Sequence, residues 1–478
     1  MNIAVIGGGW YGCHIALKLR LAGHDVTIFE NGDDIFHGVS GKFGIRLHAG
    51  PHYPRSAKTR ESCRNGLARF ISEYRELIIE HAYSIYGLGT MDSDNEPPKI
   101  DLKTFREVGS ENKNCREIEP KKWGYTNLQS AFDIEEPSIL VGDPLRRYWN
   151  ARLSEAGVNI IRRTRIHNLT KIKEKVIVRG DSCSAIFDYV VNATGYQTLL
   201  PPPEERLPLN LDIIYQPCLA LIYVDKLSPV MSLPPFSFIV MDGWFPCIMP
   251  WIGGEDQDAY RKYIVTHGKY TIMGSFNTPE EAHACLAKVA ASERDEKFVT
   301  AQIQEKCEAE MARFWPLFGV CMPGSTERRF QCVGWQGSVL AKIKTNREFR
   351  SAVTFERDGV IYVIPGKVSN IFDAGDEVAA LINKQNVLQE GSYRYIRHGI
   401  LHGAMAEITE KIDPRIRNTC ALQTYTELKS TREPYGSEQT PRLLSRSEVS
   451  AFFRAPRSMQ EPLRTDAAPH PPQIRASL

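Results

Sequence analysis

The sequence predicts an α/β protein: a doubly wound parallel sheet suited to a dinucleotide, interleaved with a domain built on an antiparallel sheet. Three observations predict this. The chain opens as strand, glycine turn, helix, strand and acid within its first thirty residues. A second apolar strand, far along the chain, ends in Ala193-Thr194-Gly195. The C-terminal half is punctuated by Gly-centred turns between short apolar runs.

Asn2 to Ile6 is a short, nearly continuous apolar run, the pattern of a parallel strand buried on both faces. Gly7-Gly8-Gly9-Trp10-Tyr11-Gly12 follows at once and satisfies GxGxxG. In that pattern Gly7 permits the tight turn, Gly9 lets the backbone approach a pyrophosphate, and Gly12 lets the helix pack closely on the strand. The helix is expected from about Trp10 to Ala22, with Gly23 ending it and Trp10 and Tyr11 in its first turn. Its free N–H groups and partial positive charge suit an anion. Asp25 to Phe29 is the second strand, closed by Glu30. An acid there accepts hydrogen bonds from ribose hydroxyls and repels a 2′-phosphate, which disfavours NADP.

Leu67, Phe70, Ile71, Tyr74, Leu77 and Ile78 follow a helical period, so a packing helix is expected over Lys58 to His81. Gly142-Asp143-Pro144 opens another helix, Leu145 to Ala156, with proline in its first turn and Gly157 as its stop. Val158 to Ile161 reads as a strand, and Val176 to Val178 with Ala185 to Phe187 as a small hairpin layer. Asp188 to Asn192 then leads into Ala193-Thr194-Gly195, small residues that let backbone run close to a dinucleotide.

Three hairpins are expected in the second half, turning at Asp242-Gly243, at His267-Gly268-Lys269 and at Asp358-Gly359. The first two, with Leu219 to Val224, suggest an antiparallel sheet. Pro279 to Trp315 reads as helical with breaks. Val360 to Ile364 leads into Gly366-Lys367-Val368-Ser369 and a helix from about Ile371 to Asn383. From about Thr424 onward, prolines interrupt every period, and a disordered tail is expected.

Composition narrows the partners. With 478 residues, 42% hydrophobic, 24% charged and a net charge of +2, the chain has the make-up of a globular enzyme and no bias toward nucleic acid or acidic membranes. Eleven cysteines without a CxxC read as reduced thiols and argue against a redox-active cysteine pair. The residues after Met1 begin a core strand, so no targeting peptide is expected. No apolar run reaches membrane-spanning length. The C-terminal Ala-Ser-Leu lacks the basic residue of a peroxisomal tripeptide. A cytoplasmic location is expected, and no metal site.

The N-terminal fingerprint paired with the Val190-Val191-Asn192-Ala193-Thr194-Gly195 strand resembles the D-amino-acid-oxidase-type FAD-dependent oxidoreductases. The stretch Ser40-Gly41-Lys42-Phe43-Gly44-Ile45-Arg46-Leu47-His48-Ala49-Gly50-Pro51-His52-Tyr53-Pro54 is similar to the segment that passes along the flavin in that superfamily. Its His-Ala-Gly and Tyr-Pro portions are nearest to the 2-hydroxyglutarate-oxidising branch. The GHGG-like turn common late in such proteins is replaced here by Pro365-Gly366-Lys367-Val368-Ser369-Asn370. The resemblance implies a Rossmann-type FAD-binding domain over 1–90, 140–205 and 325–385, and an antiparallel-sheet substrate or cap domain over 91–139 and 206–324. A helical C-terminal extension over 386–423 and the disordered tail over 424–478 complete the expected organisation. Gly7, Gly9, Trp10, Tyr11, Gly12, Glu30, Ser40, Gly41, Lys42, Ala193, Thr194, Gly195, Gly366, Lys367, Val368 and Ser369 are the expected FAD contacts. By analogy, Lys367 and the N–H groups beside it face the flavin's pyrimidine edge.

An enzyme of this type takes hydride from a carbon bearing nitrogen or oxygen, and the protein orients the C–H bond and accepts a proton. The expected partners are therefore a small amino acid, amine or hydroxy acid as substrate, and oxygen or an electron carrier as oxidant. His48 is the first candidate proton acceptor, since its ordinary pKa lies near neutrality; hydrogen bonding to the cofactor and a covalent flavin bond are its alternative roles. His52 and Tyr53 follow. Arg46, Arg347 and Arg350 are candidates for a substrate carboxylate. Three other readings use the same cofactor: a sugar-nucleotide mutase, a flavin monooxygenase (for which Gly375-Asp376 is the relevant pair), and a non-catalytic flavin-binding protein.

Overall fold

The computed structural model describes residues 1–181, 183–202, 213–229, 234–253, 260–295, 298–322, 324–345 and 349–408. Arg347 and the expected tail over 424–478 lie outside the described residues.

Two eight-stranded sheets dominate. The first has the order Val387–Glu390, Tyr393–Ile396, Val353–Arg357, Val360–Ile364, Tyr189–Asn192, Asn2–Ile6, Asp25–Phe29, Asn159–Ile161. Its centre is parallel: Val5 pairs with Ile28 on one side and Val191 on the other, and Val191 pairs in turn with Ile361. Burial on both faces explains the unbroken apolar runs of these strands: helices cover one face, and the other packs largely on strands, through Ile166, Val176, Val178 and Phe187 among others. Trp10–Leu21 lies across the sheet with eight of its residues buried. The helix Gly142–Ala156 packs beside it through Leu145, Trp149 and Leu153, and Gly157 ends it in a left-handed turn. Ile371–Ile382 adds Ile371, Phe372, Val378 and Leu381 to the same core. Ile166–Ile172, Lys175–Gly180 and Ser184–Phe187 form the separate small layer expected near the Ala-Thr-Gly strand.

The second sheet runs Phe330–Ile343, Ile213–Pro229, Tyr260–His267, Pro246–Pro250, Phe236–Met241, Tyr83–Gly89, Leu128–Ile134, Cys115–Ile118. The long strand Ile213–Pro229 is its spine, paired antiparallel with a strand on either side. Two helices, Pro279–Asp295 and Phe298–Phe314, contribute Val289, Ile303, Cys307, Met311 and Phe314 to the core beneath it. The hairpins at Asp242-Gly243 and Asp358-Gly359 form as the turn residues predict. A second small sheet joins Ile45–Arg46, Ser138–Ile139 and Ile78–Ile79.

Several expectations are corrected. Tyr83–Gly89 and Phe330–Ile343, assigned from sequence to the nucleotide-binding part, are strands of the second sheet. The helix expected to His81 stops at Glu73, because Ile78–Ile79 pairs with Ser138–Ile139 and tertiary pairing overrides the helical period. No hairpin forms around His267-Gly268-Lys269. Thr271 bonds back to His267 through its N–H (3.2 Å) and hydroxyl (2.9 Å), and the chain then runs beside the long strand 213–229, bridging Cys218 through Ile272 and Tyr215 through Phe276. The C-terminal extension begins as a β-hairpin, Val387–Glu390 with Tyr393–Ile396, that extends the first sheet before the helix Ile400–Ile408. Among the described residues no helix is long and apolar enough to cross a membrane, and no group of His, Cys, Asp and Glu has the geometry of a metal site.

Candidate active site

The two sequence signatures touch each other. Gly7 has φ +101°, and a side-chain carbon there would lie 2.8 Å from the Ala193 carbonyl oxygen. Only glycine lets the first strand's turn press on the Ala-Thr-Gly segment. A carbon on Gly12 would come within 1.9 Å of the Gly7 carbonyl oxygen, so the helix sits directly against the turn. Gly9 caps that helix with no side-chain hydrogen bond, and no acid stands in its first turn. The helix end therefore presents unsatisfied N–H groups and a positive pole, the arrangement a pyrophosphate needs. Ser40 Oγ stands over this end, accepting from the Trp10 N–H at 3.4 Å. Glu30 braces the turn: one carboxylate oxygen accepts the Gly8 N–H at 2.7 Å and the other the Gly32 N–H at 2.8 Å, leaving lone pairs on both for ribose hydroxyls. These residues fit an adenine dinucleotide.

Not every expected contact reaches this cradle by its side chain. The Trp10 ring is buried among Phe36, Phe70, Tyr74 and Trp149, at centroid distances of 5.2–5.9 Å. Only its backbone faces Ser40. Gly41 is buried against Phe36, and Lys42 is exposed, its carbonyl accepting the Trp251 indole N–H at 3.0 Å. Thr194 is tied to Asn192 at 2.7 Å beside Gly195.

Tyr11 links the fingerprint to the late turn. Its hydroxyl donates to the Lys367 carbonyl (2.6 Å) and accepts from the Gly366 N–H (2.9 Å). Asn370 completes the turn by accepting the Lys367 N–H at 2.8 Å and donating to Ser62 at 2.7 Å. Val368–Asn370 forms a short 3-10 turn, with Ser369 buried against Gly66, before the helix Ile371–Ile382 begins. Arg350 is half-buried, and its carbonyl accepts the Lys367 N–H at 3.1 Å, which places it beside this turn.

Between these elements and the second sheet lies a buried polar cluster. His48 and His52 stack at 4.3 Å with an interplanar angle of 12°. Tyr53 meets both rings edge-on, and the Lys367 ammonium lies 4.9 Å from the Tyr53 ring centre. His48 Nδ1 is 3.2 Å from the Tyr86 hydroxyl, which donates to Glu136 Oε2 at 2.5 Å. Glu136 Oε1 accepts the Ala49 N–H at 2.6 Å. The Arg46 guanidinium packs 5.4 Å from the Tyr86 ring centre and 3.9 Å from Cys247 Sγ, with Nε and Nη1 buried and without a hydrogen-bond partner. His52 Nδ1 is likewise buried without a partner.

Burial sets the protonation of this cluster. Desolvation, then the nearby Lys367 and Arg46 cations, hold His48 well below its ordinary value; His48, Lys367, Arg46 and Arg350 add to the same effect of burial on His52. Both imidazoles are therefore neutral at pH 7. Burial pushes Glu136 up, opposed by Arg46, Tyr86, the Ala49 N–H and Lys367. Burial works against the Arg46 cation, yet Tyr86, Cys247 and Glu136 around it raise its pKa overall.

Of the residues in this cluster, Arg46, His48, His52, Tyr53 and Lys367 are candidates from sequence, and Tyr86 and Glu136 are not. Tyr86 sits in an apolar strand and reads as core, and Glu135-Glu136-Pro137 reads as a surface turn. No local signal distinguishes them, because their role arises only where two distant strands converge on His48.

This cradle and fold define a dinucleotide-binding oxidoreductase, and the family model for FAD-dependent oxidoreductases, the DAO type, matches residues 2–316. The chain belongs to that family, and its cofactor is FAD. It is 43% identical over 435 residues, covering 90% of this chain and 98% of the relative, to the FAD-dependent monooxygenase kojA of Aspergillus flavus. It is 28% identical over 387 residues (80% and 92% of the two chains) to the FAD-dependent monooxygenase FPY4 of Fusarium mangiferae. Among solved structures, glycine oxidase from Geobacillus kaustophilus aligns with a TM-score of 0.57 at 14% identity, covering 86% of this chain and 99% of that one. That structure shares the fold. Membership of an oxidoreductase family sets aside the mutase and non-catalytic readings.

Proposed function

We propose that the enzyme oxidises a small amino acid, amine or hydroxy acid at a carbon bearing the nitrogen or oxygen. FAD, when bound, supplies the two-electron acceptor that takes the hydride. His48, neutral and only partly enclosed, accepts the proton released from the substrate's N–H or O–H. His52 stacks on it and fixes the ring's plane. Arg46 offers two buried, unpartnered nitrogens to an anionic or strongly polar group, and Arg350 adds positive charge beside Lys367. Arg347 stays a candidate from sequence alone. The FAD contacts proposed are the backbone of Gly7 to Gly12, Glu30, Ser40, Ala193 to Gly195 and the turn Gly366 to Ser369. The oxidant is oxygen or an electron carrier.

The observation that carries this reading is the stacked, neutral pair His48 and His52 within the buried cluster that Tyr53 joins to Lys367. The test is anaerobic: amino acids, amines and hydroxy acids are added to the FAD-loaded protein and the visible flavin band is followed. Bleaching by one class alone supports the proposal. A flavin band that only NAD(P)H bleaches would overturn it.

A second reading, monooxygenation, is favoured by the names of the two fungal relatives. Within this chain Gly375-Asp376 lends it no support. Asp376 is paired with Lys18 (2.5 Å) and Arg69 (2.9 Å) on a helix surface, and Gly375 packs on His14. Label from oxygen-18 gas in the organic product would establish this second reading.

A further inference from the structure

We infer that Glu136 is a positioning residue that, through Tyr86 and by its own charge, fixes the tautomer of His48 and so aims a basic nitrogen at the substrate. The inference rests on the reading of His48 as proton acceptor, and it follows from counting hydrogens. Glu136 Oε1 accepts from the Ala49 N–H at 2.6 Å, a bond only an acceptor can fill. Glu136 Oε2 lies 2.5 Å from the Tyr86 oxygen, and a carboxylate there also accepts. Tyr86 has one proton and gives it to Glu136. The Tyr86 oxygen is then left as an acceptor for the atom 3.2 Å away, His48 Nδ1. His48 must therefore carry its proton on Nδ1, and Nε2 holds the lone pair. Nε2 has no hydrogen-bond partner among the described residues, and the ring keeps 12% of its side-chain surface accessible.

The proton step balances on this arrangement. Hydride leaves the substrate carbon with two electrons, the N–H or O–H proton passes to Nε2, and a carbon–nitrogen or carbon–oxygen double bond remains. The imidazolium so formed keeps its Nδ1–H toward Tyr86, with Glu136 Oε2 at 3.5 Å as its counter-charge. Burial works against the ionised Glu136 carboxylate that the relay requires, and Arg46, the Tyr86 hydroxyl, the Ala49 N–H and Lys367 oppose that cost. An orienting carboxylate behind a catalytic histidine works in the same sense: it selects which ring nitrogen is free.

Two substitutions separate positioning from packing. In Glu136→Gln the side-chain oxygen is still required by the Ala49 N–H, so the amide group must face Tyr86 and donate to it. Tyr86 then turns its proton to His48 Nδ1, and the histidine proton moves to Nε2, which is no longer a base. In Tyr86→Phe the hydroxyl is gone, but Glu136 still faces Nδ1 across 3.5 Å and keeps the original tautomer.

The experiment is nitrogen NMR of the FAD-loaded protein with labelled histidine at pH 7, the His48 resonances being assigned by their loss in His48→Asn. The expected result is protonated Nδ1 and bare Nε2 in the wild type, in Tyr86→Phe and in Glu136→Asp, with the two reversed in Glu136→Gln. With a substrate identified, Glu136→Gln should slow flavin reduction by about 100-fold or more, and Tyr86→Phe by less than about tenfold. A wild-type His48 protonated on Nε2, or an unchanged tautomer in a Glu136→Gln protein that retains FAD, would overturn the inference. Should Glu136→Gln fail to fold, the wild-type and Tyr86→Phe spectra decide it. Failure of amines and hydroxy acids to bleach the flavin would sink the proposed reaction while leaving the tautomer measurement to stand or fall separately.

Discussion

Replacing Glu377 by glutamine should flatten the pH dependence of the enzyme's stability between about pH 4.5 and pH 7. Glu377 is 8% exposed on the helix Ile371–Ile382. Its carboxyl accepts from the Thr354 hydroxyl and from the Ile400 N–H at 2.5 Å, so it joins the parallel sheet to the C-terminal helix. Burial raises its pKa from 4.5 to about 7, against the pull of those two donors and with Asp373 and Asp376 adding to the rise. A folded value above the unfolded one means that stability is fully present below pH 4.5 and is lost as the pH climbs through 7. At about 1.4 kcal/mol per pH unit, the gap corresponds to about 3 kcal/mol. Glutamine keeps the bonds, its oxygen to Ile400 and its amide to Thr354, but never ionises. The assay is thermal or urea denaturation of both proteins from pH 4 to pH 8.5, taking the difference between them so that other titrating groups cancel. The variant should match the wild type at the acid end and exceed it by up to about 3 kcal/mol above pH 8. Two curves running parallel across the whole range would refute the reasoning, because Glu377 would then titrate alike folded and unfolded.

Three further outcomes follow from contacts already described or adjoining them. Alanine at Gly12 places a carbon 1.9 Å from the Gly7 carbonyl oxygen and must push the helix off its turn. FAD affinity, measured by flavin fluorescence on titrating the apoprotein, should fall by about tenfold or more. Tyr11→Phe removes the hydroxyl that joins the Gly366 N–H and the Lys367 carbonyl; a loss of about 1–3 kcal/mol in unfolding free energy is expected by urea titration. Asp225→Ala leaves Arg329 buried without its two-pronged partner, whose bonds measure 2.8 and 2.6 Å, and should cost about 3–5 kcal/mol in thermal unfolding.

What the sequence disclosed depended on whether the responsible physics was local. Gly7, Gly12 and Glu30 act on neighbours within one βαβ unit, and the strand ending at Ala193 carries its own pattern, so the cradle was legible. The hairpins at Asp242 and Asp358 were legible for the same reason. Ile78–Ile79 was not, since its pairing with Ser138–Ile139 competes with a helical period that is also present. The third hairpin failed because the Thr271 hydroxyl bonds both the N–H and the carbonyl of His267 and closes a turn, where spacing alone suggested a strand. The contacts of Tyr86 and Glu136 with His48 were not legible, for neither resembles anything but core and turn until the fold brings them together.

The strand order of the parallel sheet also bears on how the protein is made. Asn2–Ile6 is synthesised well ahead of one neighbour, Tyr189–Asn192, which follows some 180 residues later, and the strand beyond it is Val360–Ile364. At about 5–20 residues per second, the growing chain carries this apolar strand for about ten seconds or longer before that neighbour exists, and for about twice as long before the sheet can extend past it. Asp25–Phe29, already synthesised, shields only one edge meanwhile. The nucleotide cradle, which requires Gly7 to meet Ala193 and Tyr11 to meet Lys367, thus cannot assemble until long after its fingerprint is translated. Production of active enzyme should accordingly depend on chaperone capacity and on FAD being present as the final third of the chain emerges.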